Sequence, residues 1–414
     1  MINSPLDKPS VNAYNTDGKE GIALSYIQQG TKTYKFASLA LFFAGLVTFA
    51  AIYTVQPLLP IFANDFGVSA SVASLAVSFT TGLLAVCLLV AAPLSDRFGR
   101  KRVMVLSMFM TAAIGLLTAI SPGFVTLLLL RALLGVVVAG VPAIAMTYVV
   151  EEFDPSVLGT VMGLYIAGSS LGGMSGRLLA GLFTDLFDWR MALGAIGLLA
   201  LILSVLFMIF LPNPQNSAGH TLAPREMISN YTDLFSNKRL IVLISLGFIL
   251  MGGFIALYNY FAFVLMEPPY ELSQSFIGAI YIVYLAGTFS SIYMGRKADF
   301  FGKPAMIQVS IAIMALGGLF TLTPPLTMKI IGIIIFTFGF FGAHSIASAW
   351  VNEKAGHHRA QASSLYLLAY YLGSSIAGTI GGFFWSSFHW VGVISFVLVL
   401  MAFAYPVIWY AKKE

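Results

Sequence analysis

Charged residues are scarce in this sequence, 9% of 414, against about 25% in an ordinary soluble domain. So few charges cannot clothe a surface in water. The 58% hydrophobic content points to lipid as the solvent. Cysteine is scarcer still. Cys87 stands alone inside an apolar run, so no disulfide forms within the chain and the redox compartment cannot be read. Carboxylates are missing from the middle of every long apolar run, although the chain has 17 acidic residues. There is no nucleophile–base pair, metal-ligating cluster or nucleotide-binding loop, which argues against an enzyme and leaves no cofactor or metal to expect. The net charge of +5 does not point to nucleic acid, because the bases lie between apolar segments rather than along one stripe.

What is present is a series of long apolar runs. Crossing the hydrocarbon takes about 20 mostly apolar residues. Twelve segments qualify, at roughly 36–62, 71–94, 103–121, 124–150, 157–184, 190–212, 239–267, 273–294, 304–322, 326–351, 360–386 and 389–411. They are continuous rather than alternating, which excludes a barrel. The expected class is an all-α membrane protein embedded in a lipid bilayer. With the N-terminus inside, 18 of the 22 bases fall in cytoplasmic loops and tails. Arg190 and Lys329 fall outside, and Arg131 and Arg177 fall within spans. Both termini are therefore expected in the cytoplasm. Residues 1–35 read as a mobile tail without a leader pattern. Residues 36–212 and 239–414 read as two six-helix bundles, separated by a cytoplasmic loop over 213–238.

The halves echo each other at an offset near 205 residues. Ser95-Asp96-Arg97-Phe98-Gly99-Arg100-Lys101 after helix 2 matches Ala298-Asp299-Phe300-Phe301-Gly302-Lys303 after helix 8. Gly168-Ser169-Ser170-Leu171-Gly172-Gly173 in helix 5 matches Gly373-Ser374-Ser375-Ile376-Ala377-Gly378 in helix 11. Tyr53 matches Tyr258, and Trp189 matches Trp390. Duplication of this kind builds secondary transporters, whose substrate lies between two halves.

The loop from Ala92 through Asp96, Arg97, Gly99 and Arg100 resembles the signature that joins helices 2 and 3 in the major facilitator superfamily. Leu127 to Gly135, with Arg131, is similar to its helix 4 signature. The glycines of helix 5 are similar to its antiporter signature, with Ser169 where the family has Pro. The stretches around Arg177 and Gln361 resemble a bacterial inner-membrane branch associated with efflux. The resemblance implies twelve transmembrane helices in two pseudo-symmetric six-helix bundles. It also implies a transporter of small molecules in the bacterial inner membrane, coupled to protons and acting as a monomer.

Asp96 and Asp299 are the candidate gate carboxylates. The resemblance implies that, when the cytoplasmic side is shut, each meets the start of a helix in the facing half, helix 11 for Asp96 and helix 5, near Ser156, for Asp299. Gly99 and Gly302 permit the tight turns. Glu151 and Glu152 are expected to pair with Arg97 or Arg100, and Glu353 with Lys303. Intramembrane ionisable groups are costly and usually functional. Arg131, Arg177 and His344 are accordingly candidates for substrate binding or coupling, with snorkelling or backbone bonding as the alternative for Arg131 and pairing with Asp185 for Arg177. Tyr53, Gln56, Tyr258, Asn259 and Tyr370 are the candidate cavity lining, beside further polar residues such as Tyr281, Tyr284 and Tyr366. Gly135, Gly168, Gly172, Gly173, Gly373 and Gly378 are expected to let helices pack closely. Buried positive charge without a mid-span carboxylate favours a neutral or anionic solute. Export by proton exchange leads, uptake of an organic anion is the alternative, and a non-transporting sensor of the same fold is a third reading.

Overall fold

A computed structural model describes residues 26–216 and 234–412. The middle of the central loop and most of the tail over 1–35 lie outside the described residues. The first half contains α1 (Lys32–Tyr53), α2 (Ala70–Phe98), α3 (Arg100–Ala119), α4 in two pieces (Phe124–Val138 and Pro142–Glu152), α5 (Leu158–Leu186) and α6 (Trp189–Phe210). The second contains α7 (Lys238–Met266), α8 (Gln274–Ile280 and Tyr284–Phe301), α9 (Lys303–Phe320) and α10 (Leu326–Lys354). The last helical run, Arg359–Lys412, is 54 residues long. At 1.5 Å per residue it would reach about 80 Å, far beyond a hydrocarbon layer of about 30 Å. His389 breaks it at φ 49°, ψ −142°, giving α11 before and α12 after. The membrane is crossed twelve times in two six-helix bundles, so Lys32 and Lys412 lie at one face, called here the tail face.

Local chemistry repeats between the halves. Ser69 caps α2 and Ser273 caps α8, each hydroxyl accepting an N–H from the first turn. Gly99 (φ 92°) turns α2 into α3, and Gly302 (φ 84°) turns α8 into α9. That left-handed conformation strains any residue with a Cβ. Glycine also sets helix spacing. A Cβ on Gly168 or Gly172 would collide with the α1 carbonyls of Phe42 or Leu46, one on Gly373 with Phe248 O of α7, and one on Gly135 with Thr80 O of α2. These contacts bind helices within one half. Gly173 departs from the expected role: a Cβ there would meet only the Arg177 guanidinium, at 3.4 Å, because it faces the protein's centre.

Helices α3, α6, α9 and α12 present apolar side chains outward, including Leu106, Ile209, Leu316 and Phe403. They form the lipid-facing periphery, while α7 is buried along most of its length. Arg190 and Lys329, the two bases outside the expected charge asymmetry, have matching tasks. Arg190 donates to Ala119 O and Ser121 O beyond the end of α3 (3.3 and 2.6 Å), and Lys329 Nζ to Thr321 O beyond α9 (2.6 Å). Cations there complement the negative ends of the helices.

Three spans differ from the sequence reading. Helix 1 stops at Tyr53 rather than near residue 62, because Pro57 disfavours helix at Gln56; a short helix, Leu59–Asp65, follows. Helix 4 breaks before Pro142, whose missing N–H and bulky ring interrupt the ladder. Helix 8 tightens to a 3-10 turn at Tyr281–Val283. The tail differs as well. Residues from Tyr26 onward are docked: Ile27 N donates to Glu152 O (2.8 Å), and Asp154 N donates to Ile27 O (3.3 Å). Hydrogen bonds from the Ser156 hydroxyl, the Ser156 N–H and Gln28 hold the Asp154 carboxyl below the usual range.

Candidate functional site

The charged centre of the molecule is Arg177 on α5, 1% exposed. Its Nε donates to Gln56 Oε1 (2.8 Å) and its Nη1 to Gly173 O (2.6 Å). The guanidinium carbon lies 4.3 Å from the ring centre of Tyr53, 4.6 Å from Tyr281 and 5.1 Å from Tyr284. Three aromatic rings around a desolvated guanidinium replace part of its lost hydration. Tyr53 belongs to the first half and Tyr281 and Tyr284 to the second, so the cation is shared. The 3-10 turn of α8 aligns side chains three apart, which brings Tyr281 and Tyr284 to the same guanidinium.

Gln56 extends the chain across the divide, its Nε2 donating to Asn259 Oδ1 on α7 (2.8 Å). Tyr258 bonds to the Thr337 hydroxyl (2.7 Å) and stacks on Tyr281. Nearer the tail face, His344 Nδ1 bonds to the Tyr366 hydroxyl (2.9 Å), and its ring lies 4.7 Å from that of Tyr370. The centre therefore gathers Tyr53, Gln56, Arg177, Tyr258, Asn259, His344 and Tyr370 from five helices and one turn.

Arg131 is not among them. Its Nε donates to Ala76 O and its Nη1 to Ala51 O, both at 2.8 Å, and its Nη2 to Ile52 O. Ala51 and Ile52 carry carbonyls in the last turn of α1, which a helix cannot satisfy for itself. Arg131 thus takes the backbone-bonding arrangement and holds the turn carrying Tyr53 and Gln56. Asp185 does not pair with Arg177. It accepts from Gln274 N (3.0 Å) and Ser275 N (2.7 Å), the free N–H groups at the start of α8 in the other half.

The hydrogen bonds that join the halves, among the described residues, all lie between the membrane centre and the face opposite the tail. Beside those of Gln56 and Asp185, Ser375 Oγ donates to Ser78 O (2.7 Å), Thr379 Oγ1 to Ser78 Oγ (2.8 Å) and Ser71 Oγ to Thr379 O (3.2 Å). At the tail face the described ion pairs stay within one half. Arg100 clasps Glu151 through two bonds of 2.6 Å and Asp96 at 2.7 Å. Lys303 pairs with Glu353. Two expected pairings are corrected there. Glu152 accepts from Gln215 N (2.8 Å) and Asn216 N (2.9 Å) rather than from an arginine, because successive helical residues point in different directions. Arg97 lies over the Phe98 ring instead of reaching an acid. Asp96 is engaged by Arg100 in this arrangement, whose closed face is the opposite one. Asp299 is exposed, and Asp154 accepts the Ser156 N–H at the start of α5.

Sequence reasoning left out Asp185 as a bond between halves and Thr337 as part of the centre, and named Tyr281 and Tyr284 only as further polar residues of the cavity, without their shared contact to Arg177. The spacing of three between two deep tyrosines was the available signal.

Residues 41–378 match the profile of the Major Facilitator Superfamily. The chain is 45% identical over 381 residues to the MFS-type transporter YybF of Bacillus subtilis (strain 168), covering 92% of this chain and 94% of that one. It is 41% identical over 401 residues to the inner membrane transport protein YnfM of Escherichia coli (strain K12), covering 97% and 94%. Among solved structures it is similar to a bacterial homologue of the human lysosomal transporter Spinster, with a TM-score of 0.77 at 15% identity over 92% of this chain and 98% of that one. It is also similar to the nucleoside transporter NupG, with a TM-score of 0.75 at 16% identity over 90% and 99%. With twelve crossings, two echoing halves and an extensive match to transporters, the chain belongs to the Major Facilitator Superfamily and is a membrane transporter of that kind.

Proposed function

We propose that the protein exports a small organic compound from a bacterial cell in exchange for protons, as a monomer, with its tail face in the cytoplasm. The observation that carries this reading is the one-sided distribution of bonds between the halves. They close the face opposite the tail, while the acids and bases of the tail face remain in their own halves. A solute entering from the tail face meets His344 and Tyr370 before Arg177. Alternation then requires the Asp185 bonds to open and equivalent bonds to form at the tail face, with Asp96 leaving Arg100 for the start of α11. Basic residues at the tail face support the orientation, and the relatedness to an inner membrane transport protein supports the location.

The two carboxylates should shift the balance in opposite directions. Asp185→Asn weakens the observed closed face, and Asp96→Asn weakens the alternative one. A carboxylate at a helix N-terminus contributes about 0.3–2 kcal/mol, so the accessibility of single cysteines at the two faces should change by about twofold to thirtyfold. Equal labelling of both variants and the parent would remove the gate assignment.

Purified protein in liposomes under an imposed pH gradient tests the function. Solute-dependent proton entry, with solute leaving, is expected of an exporter. The buried cation also suits uptake of an organic anion with protons, in which case both move the same way. Absence of flux across a broad panel would favour a non-transporting sensor.

A further inference from the structure

The geometry points to a small organic anion, specifically a carboxylate carried on an aromatic ring, as the solute of the central site. This rests on the transport reading and narrows it. Arg177 fixes the orientation of the amides linked to it. A guanidinium has only donors, so the Gln56 oxygen must face Arg177 Nε and the Gln56 amide N–H must point onward. It points to Asn259 Oδ1, which leaves Asn259 Nδ2 as the end of the chain. That nitrogen is buried without a partner, on a residue 0% exposed. A Cβ at Gly378 would sit 3.2 Å from it, so the glycine keeps the space beside it.

A second donor lies on the other side of Arg177. The Tyr284 hydroxyl is buried without a partner, and its ring covers the guanidinium. Buried polar groups are nearly always hydrogen-bonded. Here a fixed cation has the ring bearing an unmet O–H beside it and an unmet N–H at the end of its hydrogen-bond chain, and the ion pairs described elsewhere in the chain bring no carboxylate to this centre. Among the described residues the site has donors to spare and no negative charge to receive a cation. A carboxylate meets that imbalance, since Arg–carboxylate bonds are among the strongest available. The rings of Tyr53, Tyr258, Tyr281 and Tyr370 supply flat walls for an aromatic body.

The test uses full-length protein in nanodiscs and three probes of one shape: benzoate, benzamide and benzylamine. Benzoate should bind saturably, and benzamide and benzylamine about tenfold or more weakly by comparison. Arg177→Gln should weaken benzoate about tenfold or more. Tyr284→Phe, which removes one oxygen and keeps the ring, should weaken it about threefold to tenfold and settles the matter if Arg177→Gln does not fold. The proposal is overturned if benzamide or benzylamine binds as well as benzoate, if Tyr284→Phe leaves benzoate affinity unchanged, or if neither benzoate nor the larger 1-naphthoate binds saturably. Failure of transport itself looks different: benzoate binds with the expected pattern, yet no solute or proton crosses a liposome membrane.

Discussion

Arg131→Met should be among the most destabilising single changes in the protein. It leaves the carbonyls of Ala51 and Ile52, at the end of α1, without the donors that bind them, and takes one bond from Ala76 O, which keeps its partner within α2. Each buried acceptor left unsatisfied costs about 1–3 kcal/mol, and no bulk water reaches the bilayer interior to replace the lost donor. The loss should total roughly 2–6 kcal/mol, or a fall of up to roughly 10 °C in the unfolding temperature of purified protein. Arg131→Lys should recover only part, because an ammonium cannot match the spread of the guanidinium. Protein that does fold should also bind solute poorly, since the turn carrying Tyr53 and Gln56 is no longer held. A melting temperature within about 2 °C of the parent, together with lost binding, would instead mark Arg131 as a residue that touches the solute.

Joining Ser78 to Thr379 should stop transport almost completely. Their side-chain oxygens are 2.8 Å apart across the two halves, and the β-carbons of a disulfide lie about 3.8 Å apart. In a Cys87→Ser background, cysteines at both positions should form a bridge on mild oxidation. The bridge fixes the observed arrangement, and a reductant should restore flux. The single-cysteine variants should remain active under the same oxidant. Undiminished flux through quantitatively bridged protein would mean that solute crosses without separation of the halves at this point, and alternating access in this form would have to be abandoned.

The architecture was legible because lipid imposes strong rules. Apolar length gave the spans, and paired motifs at a fixed offset gave the duplication. Helix breaks were harder. Pro57 and Pro142 carried the signal, but long apolar stretches continue through both, and composition alone does not register a missing N–H. Seven residues expected in the cavity do meet at the centre, since tyrosines and amides deep in a membrane have few other places to go. Arg131 shows the limit of this reasoning. Burial and family position were readable, whereas the direction of its side chain depends on where α1 ends, and that depends on tertiary structure. Asp185 was misplaced for a related reason: its partners are backbone N–H groups of a distant helix, which no side-chain pairing rule can find. The tail-face acids were paired correctly where a long basic side chain could reach them, as with Glu151 and Glu353.

Helices α2, α5, α7 and α10 are each 29 residues long, whereas α9 has 18. The shorter length, about 27 Å, nearly matches the hydrocarbon, and the longer, about 43 Å, exceeds it by more than a full turn at either end. The clusters of Asp96, Arg100 and Glu151 and of Lys303 and Glu353 stand on those overhangs or beside them, within reach of aqueous ions. The Arg100 clasp is part-buried, with the Arg100 side chain 12% exposed, whereas the Lys303–Glu353 pair is more open to water. Exposed pairs contribute about 0–1 kcal/mol and are screened over about 8 Å in physiological salt. Exchanging partners there is cheap, while the Arg177 cluster is shielded from electrolyte. Ionic strength should therefore act on how fast the protein turns over and leave its hold on the solute almost untouched.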